Sequence, residues 1–475
     1  MPEPTPSLSN PLGEAWQAFD GVRERFYAEL RQWPVTPRPS GTEMRTFPAE
    51  RFTFQTPRSA VDLVQEVSGL LRDGTVHVTH PVYFGLFNPS VRPIAVIADA
   101  LTALYNPQLA AWSHAPAANQ IERHTLGFFL AKVGLDPATA GGFFATGGAE
   151  ANHAAVILAL AAASPAWKTE GIRGLPGHPR IYVSDESHHS FDKVVAQTGL
   201  GTSALRKIPV DPSLRMLPGA LTEAIARDRE AGYLPLMVVG TAGTTGAGAI
   251  DPLPELAAIA AAQGLWFHVD AAWGGFACLS SEQAGVLAGI ERADSITWDA
   301  HKGLSVPMGA GMFFCRDRRL LPQAFGLETG YMPLATAGVL EPYTSTMQWS
   351  RRFIGLKVFM ALAELGEAGT RDQLDHQIRL GQRLRQRLTE AGWSLVNDTP
   401  LPVVCFRHPT WSREDPAVDR LVEILQGRGK TWISKVALSH HGWALRACIT
   451  SYLSDEADLA VLLGELEAGK AIAAN

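Results

Sequence analysis

Apolar and polar positions along the chain follow two periods. Short apolar runs at 180–184, 236–241, 265–270, 295–298 and 311–315 have strand length and are bounded by turn residues. Helical patterns separate them. Over 91–355 this alternation predicts an α/β architecture: a mostly parallel central sheet with helices on both faces. Upstream, helical patterns at 13–31 and 59–72 are joined by a proline-rich connector at 33–39, which predicts an N-terminal helical arm over 1–90. Downstream, a helix is expected from 354 to 365 and another over 371–391, followed by short strands at 403–406 and 443–449. They predict a small C-terminal α+β domain over 356–475, and 91–355 is then the large domain. The alanine-rich run 154–163 is too short to span a bilayer and reads as a buried helix.

Two of the strand ends carry chemistry. HVDAAWGG at 268–275 delivers Asp270, and TWDAHKGL at 297–304 delivers Lys302. Ligands of open α/β sheets bind in the crevice at the carboxyl ends of the strands. An acid and a lysine brought there together suit pyridoxal phosphate (PLP), with the lysine joined to the cofactor aldehyde and the carboxylate keeping the pyridine nitrogen protonated. Taken singly, the acid reads equally as a turn or helix cap and the lysine as a solvated charge. A phosphate needs several backbone N–H groups in one place. The turn Thr146-Gly147-Gly148-Ala149 before an alanine-rich helix offers them, although it also reads as a plain strand-to-helix turn. His188, in SDESHHS at 184–190, could stack on the cofactor ring. With His189 it could instead form half of a metal site, but no third ligand has suitable spacing. His301 and Thr245 are further candidate polar contacts or ordinary turn residues.

Composition narrows the class. The chain has 475 residues, 19% of them charged, with a net charge of −6 and no basic run, so neither nucleic acid nor a membrane surface is an expected partner. The start MPEPTPSLSNP lacks the basic and apolar segments of a signal peptide. Four scattered cysteines without a C-x-x-C pair favour reduced thiols in a cytoplasmic enzyme. No complete dinucleotide or P-loop glycine motif occurs.

The ordered set HPVYFGLFNPS at 80–90, AWSHAPAANQIE at 111–122, the turn at 147–148, DESHHS at 185–190, GTTGAGAID at 243–251, HVDAA at 268–272, DAHK at 299–302, SRRFIGLK at 350–357 and WALRACITS at 443–451 resembles the group II PLP-dependent amino-acid decarboxylases. That family includes the aromatic L-amino-acid, histidine and glutamate enzymes. The resemblance implies PLP fold type I. It implies that Lys302 holds the cofactor, Asp270 pairs with the pyridine nitrogen, His188 stacks on the ring and Ala272 packs on the other face. Gly148, Ala149 and His301 would contact the phosphate, Thr245 would lie near the cofactor, and Arg446 would lie near the substrate carboxylate. Tyr331, in LETGYMP at 327–333, falls where the family places the loop tyrosine that protonates Cα after CO₂ leaves. Asp299 stands where several members have Asn; beside a phosphate its charge would be repulsive, so it is expected to turn away or to cap. Gly303, Ala110 and Ala111 replace bulkier aromatic residues of the animal aromatic enzymes.

The function expected is decarboxylation of an L-amino acid to its amine. Leu86, Phe87 and Trp112 suggest an apolar pocket and favour a neutral aromatic substrate. An aminotransferase shares the acid–lysine pair but leaves Tyr331 without a role. A carbon–carbon lyase for phosphorylated substrates would need a second basic pocket, and a non-catalytic homologue would have little reason to keep Lys302, Asp270, His188 and Tyr331 together. The arm, poor in strands and rich in apolar residues, suggests a homodimer with the site at the interface.

Overall fold

The computed structural model describes residues 11–37, 51–332 and 339–473. The N-terminal stretch 1–10, positions 38–39 of the proline-rich connector and Pro333 lie outside the described residues. Two compact units are formed: one gathers Met1–Phe84, Asp419–Ile433 and Ser454–Asn475, the other Gly85–Val418 and Ser434–Leu453. The first unit is helical where described, with helices Pro11–Glu29, Ala60–Gly74 and Glu456–Ala473. Ser59 caps the second of these by accepting from Asp62 N at 3.1 Å. The Arg31–Asp458 pair at 3.0 Å and the Val35 N–Gly429 O bond at 2.7 Å tie its distant segments together.

The second unit contains a seven-stranded sheet: β1 Gly141–Ala145, β2 Pro179–Ser184, β3 Leu205–Ile208, β4 Leu234–Thr241, β5 Trp266–Asp270, β6 Ser295–Asp299 and β7 Gly311–Cys315. Their order is β1-β7-β6-β5-β4-β2-β3. The run from β6 to β3 is parallel, and β7 lies antiparallel to both β6 and β1. The sheet is thus mostly parallel, with both faces covered, as the sequence pattern predicts.

Period-two alternation divides its side chains between two apolar layers. Tyr182, Val238, Phe267, Val269, Ile296 and Trp298 enter one. Ile181, Val183, Met237 and Val239 enter the other, where they pack with Ala151, Ala154, Ala155 and Leu158 of helix Gly148–Ala163. Burial on both faces explains why β4 reads as a continuous apolar run, LPLMVVGT, and not as an alternation.

A smaller antiparallel sheet, β8 Ser394–Leu395, β9 Val403–Arg407, β10 Ser434–Leu438 and β11 Gly442–Cys448, has the order β10-β11-β9-β8. Helix Gly355–Glu390 is broken at Gly366, whose φ of 63° and ψ of 178° leave the helical region between the two segments read from the sequence.

Four strands escape the sequence pattern, each for a local reason. β1 is hidden in the glycine-rich GGFFA, where glycine is needed for close approach: a Cβ on Gly142 would lie 2.1 Å from Phe313 O. β3 and β10 are sheet edges with mixed polar side chains, and β8 is only two residues long.

Candidate active site

The parallel strands end together, and their carboxyl ends collect the chemistry. Asp270 closes β5 beside Thr241 of β4 and Thr297 of β6. Asp299 closes β6, and the helical turn Ala300–Gly303 that follows carries Lys302. Helix Gly148–Ala163 starts over the same crevice, directing the unsatisfied N–H groups of its first turn toward it. One pocket is lined by Gly148, Ala149, Asn152, His188, Thr241, Gly243, Thr245, Asp270, Ala272, Trp273, Asp299 and Lys302. It brings together seven of the residues singled out from sequence: Lys302, Asp270, His188, Ala272, Gly148, Ala149 and Thr245.

The site is charged, buried and well supplied with hydrogen bonds. Asp270, 4% exposed, accepts from Asn152 Nδ2 at 2.8 Å and from Ala272 N at 3.1 Å. His188 Nδ1 accepts from Ser190 N at 3.1 Å, which leaves the proton on Nε2. Burial lowers the His188 pKa, with the Asp270 charge opposing that shift, so the ring is a neutral flat surface at neutral pH. The loop bearing it is anchored to the strand ends by Ser187 Oγ, which accepts from Ser184 N at 3.0 Å and meets Thr241 Oγ1 at 3.2 Å.

Asp299 corrects one expectation: it makes no side-chain cap and does not leave the crevice. Its Oδ2 pairs with Lys302 Nζ at 3.0 Å and lies 3.0 Å from where a Cβ on Gly148 would stand. His301 is 3.8 Å from the same oxygen, with Nδ1 accepting from Ala310 N; burial lowers its pKa as well.

Phe87 connects this pocket to Arg446. Its ring stacks on Trp273 with centroids 4.0 Å apart, and Lys302 Nζ and the Arg446 guanidinium lie 5.9 and 4.7 Å from its centroid. Arg446, 3% exposed, donates through Nη1 to Gly85 O and Ser434 Oγ, while its Nε and Nη2 have no hydrogen-bond partner among the described residues. Two buried guanidinium nitrogens whose N–H groups have no partner among the described residues suit a carboxylate.

Three expected residues lie elsewhere. Leu86 is exposed, and Trp112 lines a separate cavity of about 930 Å³ with Glu122 and Arg351. Tyr331 is 76% exposed, with its ring 6.0 Å from that of Trp349. Conversely, Asn152, Trp273 and His268 were not singled out from the sequence. Asn152 had one signal, a lone asparagine a turn beyond Gly148 in an alanine-rich helix. His268 had another: it is two residues before Asp270 and therefore on the same face of β5.

The residues fit PLP. An acid at a strand end, a lysine on the turn after the adjacent strand, a neutral histidine lining the same pocket and a helix N-terminus where a Cβ would crowd Ala272 and Asp299 are the parts that group needs.

Burial pushes the His268 pKa down to about 4 from its ordinary 6.5. Between those values the unfolded chain takes up a proton that the folded chain refuses. The associated stability is complete above pH 6.5 and is lost as pH falls toward 4, on the order of 3 kcal/mol for this group. Urea midpoints measured down this pH range should fall, and the fall should be shallower in His268→Gln.

Comparison with known proteins gives a consistent picture. A family model described as the pyridoxal-dependent decarboxylase conserved domain matches residues 42–409. The chain is 32% identical over 336 residues to an aromatic-L-amino-acid decarboxylase of Bacillus atrophaeus, covering 70% of this chain and 68% of that protein. It is 30% identical over 413 residues to the cysteine sulfinic acid decarboxylase of Mus musculus, covering 83% of each. A crystal structure of mouse CSAD superposes with a TM-score of 0.91 at 27% identity, over 98% of this chain and 99% of that one.

Proposed function

Because the chain belongs to the family of pyridoxal-dependent decarboxylases, it is a PLP-dependent amino-acid carboxy-lyase, and we propose that its substrate is a neutral aromatic L-amino acid. The observation that carries the substrate is the Phe87–Trp273 stack beside Lys302, with Arg446 as the cation on its edge. The names of the relatives include both an aromatic and an acidic substrate, so the preference has to come from this pocket. If Arg446 takes the α-carboxylate, an acidic side chain would need a second cation, and the residues lining the pocket supply no arginine for it.

Bound PLP supplies the electron sink that accepts the pair released when the bond from Cα to the carboxylate breaks. Lys302 would hold the cofactor and Asp270 would keep a proton on the ring nitrogen, while neutral His188 offers a flat face without adding charge. Gly148 and Ala149 would receive the phosphate on their N–H groups. Arg446 would orient the substrate through Nε and Nη2. In a pocket closed to water such fixed partners act at full strength.

Purified protein should release CO₂ and amine from phenylalanine, tyrosine or tryptophan with kcat/KM ~10-fold or more above that for aspartate or cysteine sulfinate. Lys302→Ala is the inactive control. An acidic substrate preferred over all three would overturn the aromatic assignment.

For Tyr331, a role as proton donor to Cα rests on the sequence resemblance, since its ring is exposed and outside the residues lining the pocket. If it holds that proton, Tyr331→Phe should still release CO₂ but, in air, divert product from amine to aldehyde, ammonia and hydrogen peroxide, with dissolved O₂ as the two-electron oxidant and water supplying the aldehyde oxygen; under nitrogen the diversion should disappear. An unchanged amine yield would remove the role.

A homodimer with the site at the interface, in the cytoplasm, completes the reading. Exposed Trp16, Phe19, Tyr27 and Leu71 on the N-terminal helices support the first, and four unpaired cysteines support the second. No helix among the described residues is long and apolar enough to cross a membrane. Light scattering of the active protein should give twice the chain mass; an active monomer would refute the dimer.

A further inference from the structure

Behind Asp270 the sheet carries a line of polar side chains through an otherwise apolar interior. His268 and Asp270 share a face of β5, and β6 places Ser295 opposite His268 and Thr297 opposite Asp270. His268, Ser295 and Thr297 are fully buried, and Asn152 reaches them from helix Gly148–Ala163 with 1% exposure. So much buried polarity is costly unless every group is paired.

The pairing has a single direction, fixed by its two ends. The Trp266 indole can only donate, and Asp270 receives an N–H on each oxygen, Ala272 N on Oδ1 and Asn152 Nδ2 on Oδ2. Trp266 Nε1 therefore donates to Ser295 Oγ at 2.9 Å, and Ser295 donates to His268 Nδ1 at 2.8 Å. His268 Nε2 then donates to Asn152 Oδ1 at 3.1 Å, and Asn152 Nδ2 donates to Asp270 Oδ2 at 2.8 Å. Reversing the Asn152 amide would set its oxygen against a carboxylate and its NH₂ against the His268 N–H. Only the tautomer of His268 protonated on Nε2 fits this chain.

We propose that His268 and Asn152 are positioning residues for the reaction, a relay of neutral donors that holds Asp270 ionised and its Oδ2 fixed in place. The relay adds no positive charge, because burial keeps His268 neutral down to about pH 4. A cation there would neutralise the negative charge that Asp270 has to present. Asn152 extends the same control to the neighbouring loop, since its Nδ2 also reaches Ser190 Oγ at 3.1 Å, beside His188. The charged and titratable groups sharing the pocket with Asp270 are Lys302, Asp299 and His188, and they would be unchanged by substitutions in the relay. The catalytic consequence rests on the function proposed above; the ionisation of Asp270 is a property of the protein without cofactor.

The test uses cofactor-free protein carrying ¹³C-labelled aspartate, with the Asp270 carboxyl signal identified by its loss in Asp270→Asn. His268→Leu, which frees the Asn152 amide to turn its N–H away, should raise the Asp270 titration midpoint by up to ~1–2 pH units, the size expected when the donor to a charged group is lost outright. His268→Gln, whose amide N–H can replace that of Nε2, should bring it back toward wild type. In the loaded enzyme, His268→Leu should lower kcat by ~10-fold with little change in KM, and His268→Gln should recover most of it. An Asp270 midpoint unmoved in His268→Leu would overturn the proposal, and so would an equal shift in His268→Gln or a raised midpoint with kcat unchanged. If His268→Leu does not fold, Asn152→Ala carries the same readout, and an unmoved midpoint there overturns the proposal too. A wrong substrate assignment would leave the carboxyl titration untouched, so the two failures are separable.

Discussion

The Asn152 Nδ2–Asp270 Oδ2 hydrogen bond, 2.8 Å long and closed to solvent, joins the glycine-led helix to the end of β5. Taking a carboxylate that far out of water is costly, and donors placed in advance offset the cost. Asn152 and the Ala272 N–H are those donors, one from each side. The requirement propagates outward. Helix Gly148–Ala163 must lie close enough to deliver Asn152, and a Cβ on Gly148 would meet Ala272 Cβ at 3.1 Å. β6 must hold register with β5 so that Ser295 stands opposite His268. The geometry of the crevice and the ionisation of one acid are therefore the same constraint.

How far a sequence discloses this depends on whether the parts adjoin in the chain. Asp270 ends an apolar strand and Lys302 follows one by a few residues, so their place at the sheet's carboxyl edge follows from local pattern. Gly148 precedes a strongly helical run for the same reason. Asn152 and His268 acquire meaning only through strand register and helix placement, which are long-range, so a polar residue in an alanine-rich helix and a histidine in a strand look unremarkable alone. Trp112 shows how little local pattern says about surroundings. An aromatic residue in a recognisable stretch suggests a substrate wall, yet its backbone N–H donates to Glu341 and its side chain faces the cavity shared with Glu122 and Arg351. Local pattern cannot say which of two cavities a side chain borders. β1 was obscured by the very glycines that its close contact with β7 requires.

Phe87 carries a comparable load on the other side of the pocket. Stacked on Trp273 and flanked by Lys302 and Arg446, it presents a ring face to two cations, an attraction that strengthens when water is excluded. Arg446 is fixed from behind by Gly85 O and Ser434 Oγ, so its remaining N–H groups are pre-aimed. The cost of ordering them is met by the fold and not at the moment of binding.

Two carboxylates, Asp270 and Asp299, end adjacent strands in this pocket, and the kind of partner each has separates them. Asp299 meets a cation, Lys302, at 3.0 Å, which balances its charge locally. Asp270 meets neutral donors, which stabilise its charge without cancelling it. Exchanging the partners would undo both. An ammonium against Asp270 would cancel the negative charge it presents to the pocket, and an amide against Asp299 would leave a full anion beside the start of helix Gly148–Ala163. The aspartate in DAHK is therefore tolerable because the lysine three residues later returns to it, one helical turn away on the same face. Once Lys302 is engaged elsewhere, that pairing is lost, and the buried His301 ring, whose pKa burial lowers, is left 3.8 Å from the same oxygen.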